Sequence, residues 1–160
     1  MLIIGIDPGT TIVGYSIIDI QKTGLKLLDY GCIFTTPKSP EEDKLVEIGK
    51  DMSSLIEKWN IEKAAIEDLF FTNNAKTAIR VAQARGVIIE KLASSGIEIY
   101  SYTPPQIKSA ICGYGKADKK MVQKMVKMIL NLKEIPKPDD AADAIACGIC
   151  LANSLKMTIK

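Results

Sequence analysis

The chain contains no histidine. That alone excludes nucleophilic catalysis through Ser–His or Cys–His pairs, and any metal site built on imidazole. Cysteine is scarce, with four residues, and only Cys147 and Cys150 lie close together, as C-G-I-C. No second close pair completes a zinc site. The apolar neighbours of the first favour two small hydrophobes on a core helix over redox chemistry. No apolar run reaches the roughly 18 residues of a membrane span, and the N-terminus carries neither a basic flank nor a cleavage site. The expectation is a cytoplasmic protein with no membrane role. Internal repeats and low-complexity stretches are absent. Net charge is only +2, so any nucleic-acid footprint must come from local clustering of cations.

What is present reads as an ordinary soluble fold. Hydrophobic residues make up 47% of the 160 and charged residues 25%, enough for one domain over residues 1–160 with a substantial core. Leu2 to Ile6 is a compact apolar run rich in β-branched residues, ended by Asp7 and broken by Pro8 and Gly9. It reads as a buried strand and a tight turn. Val13 to Asp19 alternates as a second strand and Leu25 to Thr35 as a third, in an antiparallel meander. Ser39-Pro40-Glu41-Glu42 predicts a capping-box start, with proline first in a helix that runs to about Asn60. Lys63 to Asp68 is a short buried strand, Asn73 to Ser95 a long helix and Ile97 to Tyr102 a fifth strand. A short helix over Pro104 to Ile111 precedes a glycine loop, Gly113 to Lys116. Asp118 to Leu132 is a helix with an apolar face of Met121, Val122, Met125, Val126 and Ile129. A last helix begins near Asp139 and continues towards Leu155. Three strands, helix, strand, helix, strand and helices imply an α/β fold, a mixed five-stranded sheet with helices on its faces.

Acids close two of the buried strands. A carboxylate in such a place is costly unless it is paired or holds a metal. Asp7 ends the first strand and Glu67 the fourth, while Asp140 and Asp143 stand three apart at the start of the last helix, sharing a face. The plainer accounts are an Asx turn for Asp7 and complementation of the helix dipole for the aspartate pair. The dipole account explains poorly why two further acids end core strands. Four carboxylates without histidine suit the hard ions Mg²⁺ or Mn²⁺, and two such ions support phosphodiester hydrolysis.

Between Pro105 and Lys127 stand six lysines and one acid. Lys108, Lys116, Lys119, Lys120 and Lys124 belong to this segment. A solvated helix face is the usual account of such a run. Its place just before the acidic helix, with a glycine loop open to close approach, reads better as a phosphate-binding surface. Phe70 and Phe71 would ordinarily be core. They follow an acidic strand end and precede polar Thr72-Asn73-Asn74, where exposed aromatics at a loop tip could stack on unpaired bases.

Four long segments, in order, resemble the RuvC family of Holliday-junction resolvases: GIDPGTTIVGYSIID, IEDLFFTNNAKTAIRVAQARG, YTPPQIKSAICGYGKADKKMVQKMV and PKPDDAADAIA. The resemblance implies a ribonuclease-H-like fold, a homodimer, and Asp7, Glu67, Asp140 and Asp143 as the metal-binding catalytic acids. Some members of that family carry histidine where Asp140 stands, and Asp139 adjoins it. The resemblance also assigns phosphate contacts to Lys108 and Lys119, and puts Phe70 where the family has a wedge-like aromatic. The expected substrate is four-way junction DNA, nicked on two opposed strands with Mg²⁺ (two ions per site, Mn²⁺ as substitute) to leave 5′-phosphate ends. A branch-migration motor is a candidate partner, and the helix from Ala78 to Leu92 the candidate dimer interface. Three other readings stand beside this one. Gly5 to Thr11 also looks like the phosphate hairpin of actin-like kinases and chaperones, which need a second lobe that 160 residues cannot supply. A ribosomal-RNA-processing nuclease family shares the first hairpin. The third is a module that binds branched DNA without cutting it.

Overall fold

The computed structural model describes residues 1–69 and 74–158, the side chains of 156–158 excepted. Three strands open the chain: β1 (Leu2–Asp7), β2 (Ile12–Gln21) and β3 (Gly24–Phe34). Then come α1 (Glu41–Lys58), β4 (Lys63–Glu67), α2 (Ala75–Ser94) and β5 (Glu98–Tyr102). Three helices follow, α3 (Pro104–Cys112), α4 (Lys119–Ile129) and α5 (Asp139–Thr158). The sheet order is β3-β2-β1-β4-β5. The β1–β2 and β2–β3 pairs are antiparallel, and β4 and β5 run parallel to β1. This is the meander followed by helical crossovers that the sequence predicts.

Each face of the sheet has its own core. Ile4, Ile6, Val13, Ile17, Ala64 and Ile66 pack with α1 and α2 residues such as Ile48, Met52, Ile88 and Leu92. Ile3, Ile18 and Ala65 pack with α3, α4 and α5, where Cys147 and Cys150 lie buried among Ile145, Ile149 and Leu151. Every fully buried isoleucine contributes roughly 1.5–3 kcal/mol. Both cysteines are free thiols that serve as small core residues. No helix among the described residues is long and apolar enough to cross a membrane.

Three local expectations need correction. The capping box at Ser39 does not form: α1 starts at Glu41 with Pro40 at the N-cap position and no side-chain cap. The Ser39 hydroxyl donates instead to the Thr36 carbonyl at 2.8 Å, closing the preceding turn. In α4 the buried stripe is narrower than expected. Val122 and Val126 are buried, but Met121 and Ile129 are 40% and 37% exposed because they flank the side turned to α3 and α5. That helix also stops short of Leu132, since Asn131 takes a left-handed φ of 50°.

Candidate active site

Strand periodicity aims the first two acids. Side chains alternate across a strand, and on β1 Ile4 and Ile6 point to the α1 and α2 face while Ile3 points to α5. Asp7, at the same parity as Ile3, therefore faces α5. On β4, Ala65 faces α5 and Ala64 and Ile66 face away, which sends Glu67 to the same side as Asp7. The parallel register pairs Ile6 with Ile66, so the two carboxylates leave neighbouring strands side by side.

Close packing brings α5 to them. A Cβ on Gly5 would lie 2.2 Å from the Ala144 carbonyl oxygen, and one on Gly14 would lie 2.0 Å from that of Asp140. Only glycine admits this approach, and Ala141, Ala142 and Ala144 keep the helix side small. The buried Ser16 hydroxyl donates to the Ala144 carbonyl at 3.0 Å and pins the same turn. The first turns of α5 are thereby fixed against the ends of β1 and β2.

The result is an open cleft of about 280 Å³ whose walls include Asp7, Glu67, Asp143, Lys108 and Lys119. Lys119 Nζ lies 3.1 Å from Asp143 Oδ2 and 3.2 Å from Asp139 Oδ2. Asp140 does not line this cleft. Its carboxylate is near enough to raise the pKa values of Asp7, Asp143 and the Cys32 thiol. A second recess of about 190 Å³, walled by Pro8, Asp68, Leu69 and Thr77, shares Asp7 and Glu67 with the first.

Electrostatics mark the cleft as short of positive charge. Burial, together with the charges of Glu67, Asp143 and Asp140, pushes the Asp7 carboxyl up to about 8, with Lys119 opposing. Glu67 rises to about 7 through burial and Asp143, against the pull of Lys108 and Lys119. Burial raises Asp143 as well, with Lys119 holding it back. Burial acts to lower the Lys119 ammonium, but its hydrogen bonds and charge pairing with Asp143 and Asp139 prevail and raise it. Among the described residues no three acids or thiols stand close enough to form a ready-made metal cage. The donor set nevertheless fits a hard divalent ion: oxygen ligands without nitrogen, whose mutual repulsion a cation would relieve.

The remaining candidates lie apart. Lys116, Lys120 and Lys124 are exposed on and before α4, outside the cleft wall. Phe70 falls outside the described residues. Arg85 of α2 went unnoticed in the sequence. Its Nη2 bonds Ser101 Oγ at 2.7 Å and lies 3.3 Å from Asp68 Oδ1, while Nε donates to the Glu67 carbonyl at 3.3 Å. It clamps the end of β4 on which Glu67 sits. Arg80 stands on the same helix, and nothing in the local sequence sets Arg85 apart from it.

The strand order, with helices on both faces, defines a ribonuclease-H-like fold. The family model described as crossover junction endodeoxyribonuclease RuvC matches residues 3–151. The crossover junction endodeoxyribonuclease RuvC of Halothermothrix orenii is 50% identical over 160 residues, covering 100% of this chain and 97% of its own length. The Thermus thermophilus RuvC structure superposes with a TM-score of 0.91 at 31% identity, covering 99% of this chain and 97% of that one. The T. thermophilus RuvC in complex with Holliday junction substrate gives 0.89 at 29% identity, covering 98% and 96%. The chain belongs to the RuvC family.

Proposed function

We propose that this chain is a structure-selective endonuclease that resolves four-way DNA junctions by paired symmetric nicks in recombination and repair. The supporting observation is one cleft in which Asp7, Glu67 and Asp143 converge under a rim of Lys108 and Lys119, in a chain of a junction-resolving family. Asp7, Glu67, Asp143 and Asp140 are the ligands that would hold two Mg²⁺ ions, with Mn²⁺ as a substitute. Such ions, when bound, activate the attacking water and stabilise the leaving oxygen.

The protein's own part is positioning and charge. Lys108 and Lys119 take the phosphates flanking the scissile bond at the cleft mouth. Lys116, Lys120 and Lys124 track the backbone further out, where exposed ammonium groups contribute affinity without reading sequence. Arg85 keeps Glu67 in place from behind. Phe70 wedges into the crossover and stacks on a base that leaves its helix. In-line attack of water then yields 5′-phosphate and 3′-hydroxyl ends.

Residues 1–160 act as one nuclease domain, and two copies form a homodimer whose two-fold symmetry matches two opposed cuts. The α2 segment from Ala78 to Leu92 is the proposed interface, where Ile79 stands 61% exposed. A branch-migration motor joins it on the junction, and the cytoplasm is where its DNA substrate lies. Asp7→Asn tests the assignment: the variant should bind a synthetic junction as tightly as the wild type and fail to cut it. Near wild-type cutting would contradict the four-acid site. Binding without cutting by the unmutated chain would point to a non-cleaving module, and preference for structured RNA to the RNA-processing type of nuclease.

A further inference from the structure

Lys119 has two carboxylate partners, and they differ in setting. Asp143, 3.1 Å from its Nζ, belongs to the cleft, whereas Asp139, at 3.2 Å, does not line it. The inner side chain is 32% exposed and the outer one 64%. Asp139 is also braced: Gln123 Nε2 donates to its Oδ1 at 3.0 Å, while Oδ2 faces the ammonium. Gln123 lies four residues after Lys119 on α4, so both reach the start of α5 from the same helix face. The α4 and α5 helices therefore meet at a three-member contact of one cation, one amide and one exposed carboxylate.

This contact bears on Asp143. An ammonium paired with that carboxylate competes for it with any divalent cation. A second anion on the outer side divides the ammonium's attraction and offers it a partner that can be kept when the first is given up. We propose that Asp139 is a positioning residue: braced by Gln123, it holds Lys119 at the rim of the cleft and frees Asp143 for a divalent cation. The inference rests on the reading of Asp143 as a ligand. Removing Asp139 leaves the ammonium with Asp143 alone and strengthens the competition.

The experiment is Mn²⁺ binding to the DNA-free protein by calorimetry, for the wild type, Asp139→Asn, Lys119→Gln, the double variant and Asp143→Asn. Asp139→Asn is expected to weaken Mn²⁺ binding about two- to fivefold, the worth of an exposed ion pair. In the Lys119→Gln background, with no ammonium left to restrain, the same substitution is expected to change nothing further. Equal weakening in both backgrounds would mean that Asp139 acts as a nearby charge or a ligand, and would overturn the proposal. So would wild-type affinity in Asp139→Asn. Asp143→Asn keeps the two failures apart: wild-type Mn²⁺ binding by that variant would remove the metal reading itself, whatever Asp139 does.

Discussion

Neutralising Asp7 is expected to abolish cutting and to stabilise the cation-free protein. The Asp7 carboxyl titrates near 3.8 when unperturbed and at about 8 in the folded chain, through burial first and the neighbouring acids second. A folded pKa above the unfolded one means the native state binds the extra proton. Stability is then full below the unfolded value and is lost as pH rises towards the folded one. Each pH unit in that window is worth about 1.4 kcal/mol, so roughly three units up to pH 7 give a ceiling of about 4 kcal/mol. Glu67 and Asp143 share the burden, which brings the expected gain for Asp7→Asn to about 2–4 kcal/mol. For a chain of this size that is about 5–10 °C in Tm. Thermal melts in EDTA at pH 4, 5.5, 7 and 8 measure it. The gap should be near zero at pH 4 and widen with pH, and Mg²⁺ should narrow it by stabilising the wild type alone. Asp7→Asn melting below the wild type at pH 7 in EDTA, or a gap that ignores pH, would refute the reasoning.

Lys119→Ala combined with Lys120→Ala is expected to weaken junction binding and to lower the log–log salt slope by about 0.9 for each lost phosphate contact. An unchanged slope at weaker affinity would assign these lysines to folding instead. Gly14→Ala sets a methyl group 2.0 Å from the Asp140 carbonyl oxygen. The first turn of α5 must then move, and cleavage should fall about tenfold or more for a displacement near 1 Å. Single-turnover rates beside gel-shift affinities would check that binding survives. Phe70→Ala should lose roughly 1–3 kcal/mol of stacking, slowing cleavage of a fully paired junction and recovering on one with unpaired bases at the crossover. A stable variant without that recovery would rule out the wedge.

The strand and helix order was legible because turns and periodicity mark it: Pro8-Gly9 ends β1, Gly24 turns β2 into β3, and the alternation of Ile3, Ile4 and Ile6 sets the faces. The same alternation makes Asp7 and Glu67 readable as one pair. Asp140 was harder. Residues three apart on a helix share a broad face yet diverge by about 60° around the axis, enough for Asp143 to enter the cleft while Asp140 stays off its wall. Ser39 misled because a capping motif records which residues can bond, while its hydroxyl found a nearer acceptor in Thr36. Arg85 and the Asp139–Lys119–Gln123 contact join segments far apart in sequence. Such pairings come from tertiary approach, and no local pattern encodes them.

The most direct measurement is cleavage of a synthetic four-way junction beside a linear duplex of the same sequence, with Mg²⁺ and with EDTA. The account predicts paired, symmetric nicks in the junction with Mg²⁺, ends that ligase can seal, an intact duplex, and no cutting in EDTA. Equal cutting of duplex and junction, or cutting that persists in EDTA, would contradict it.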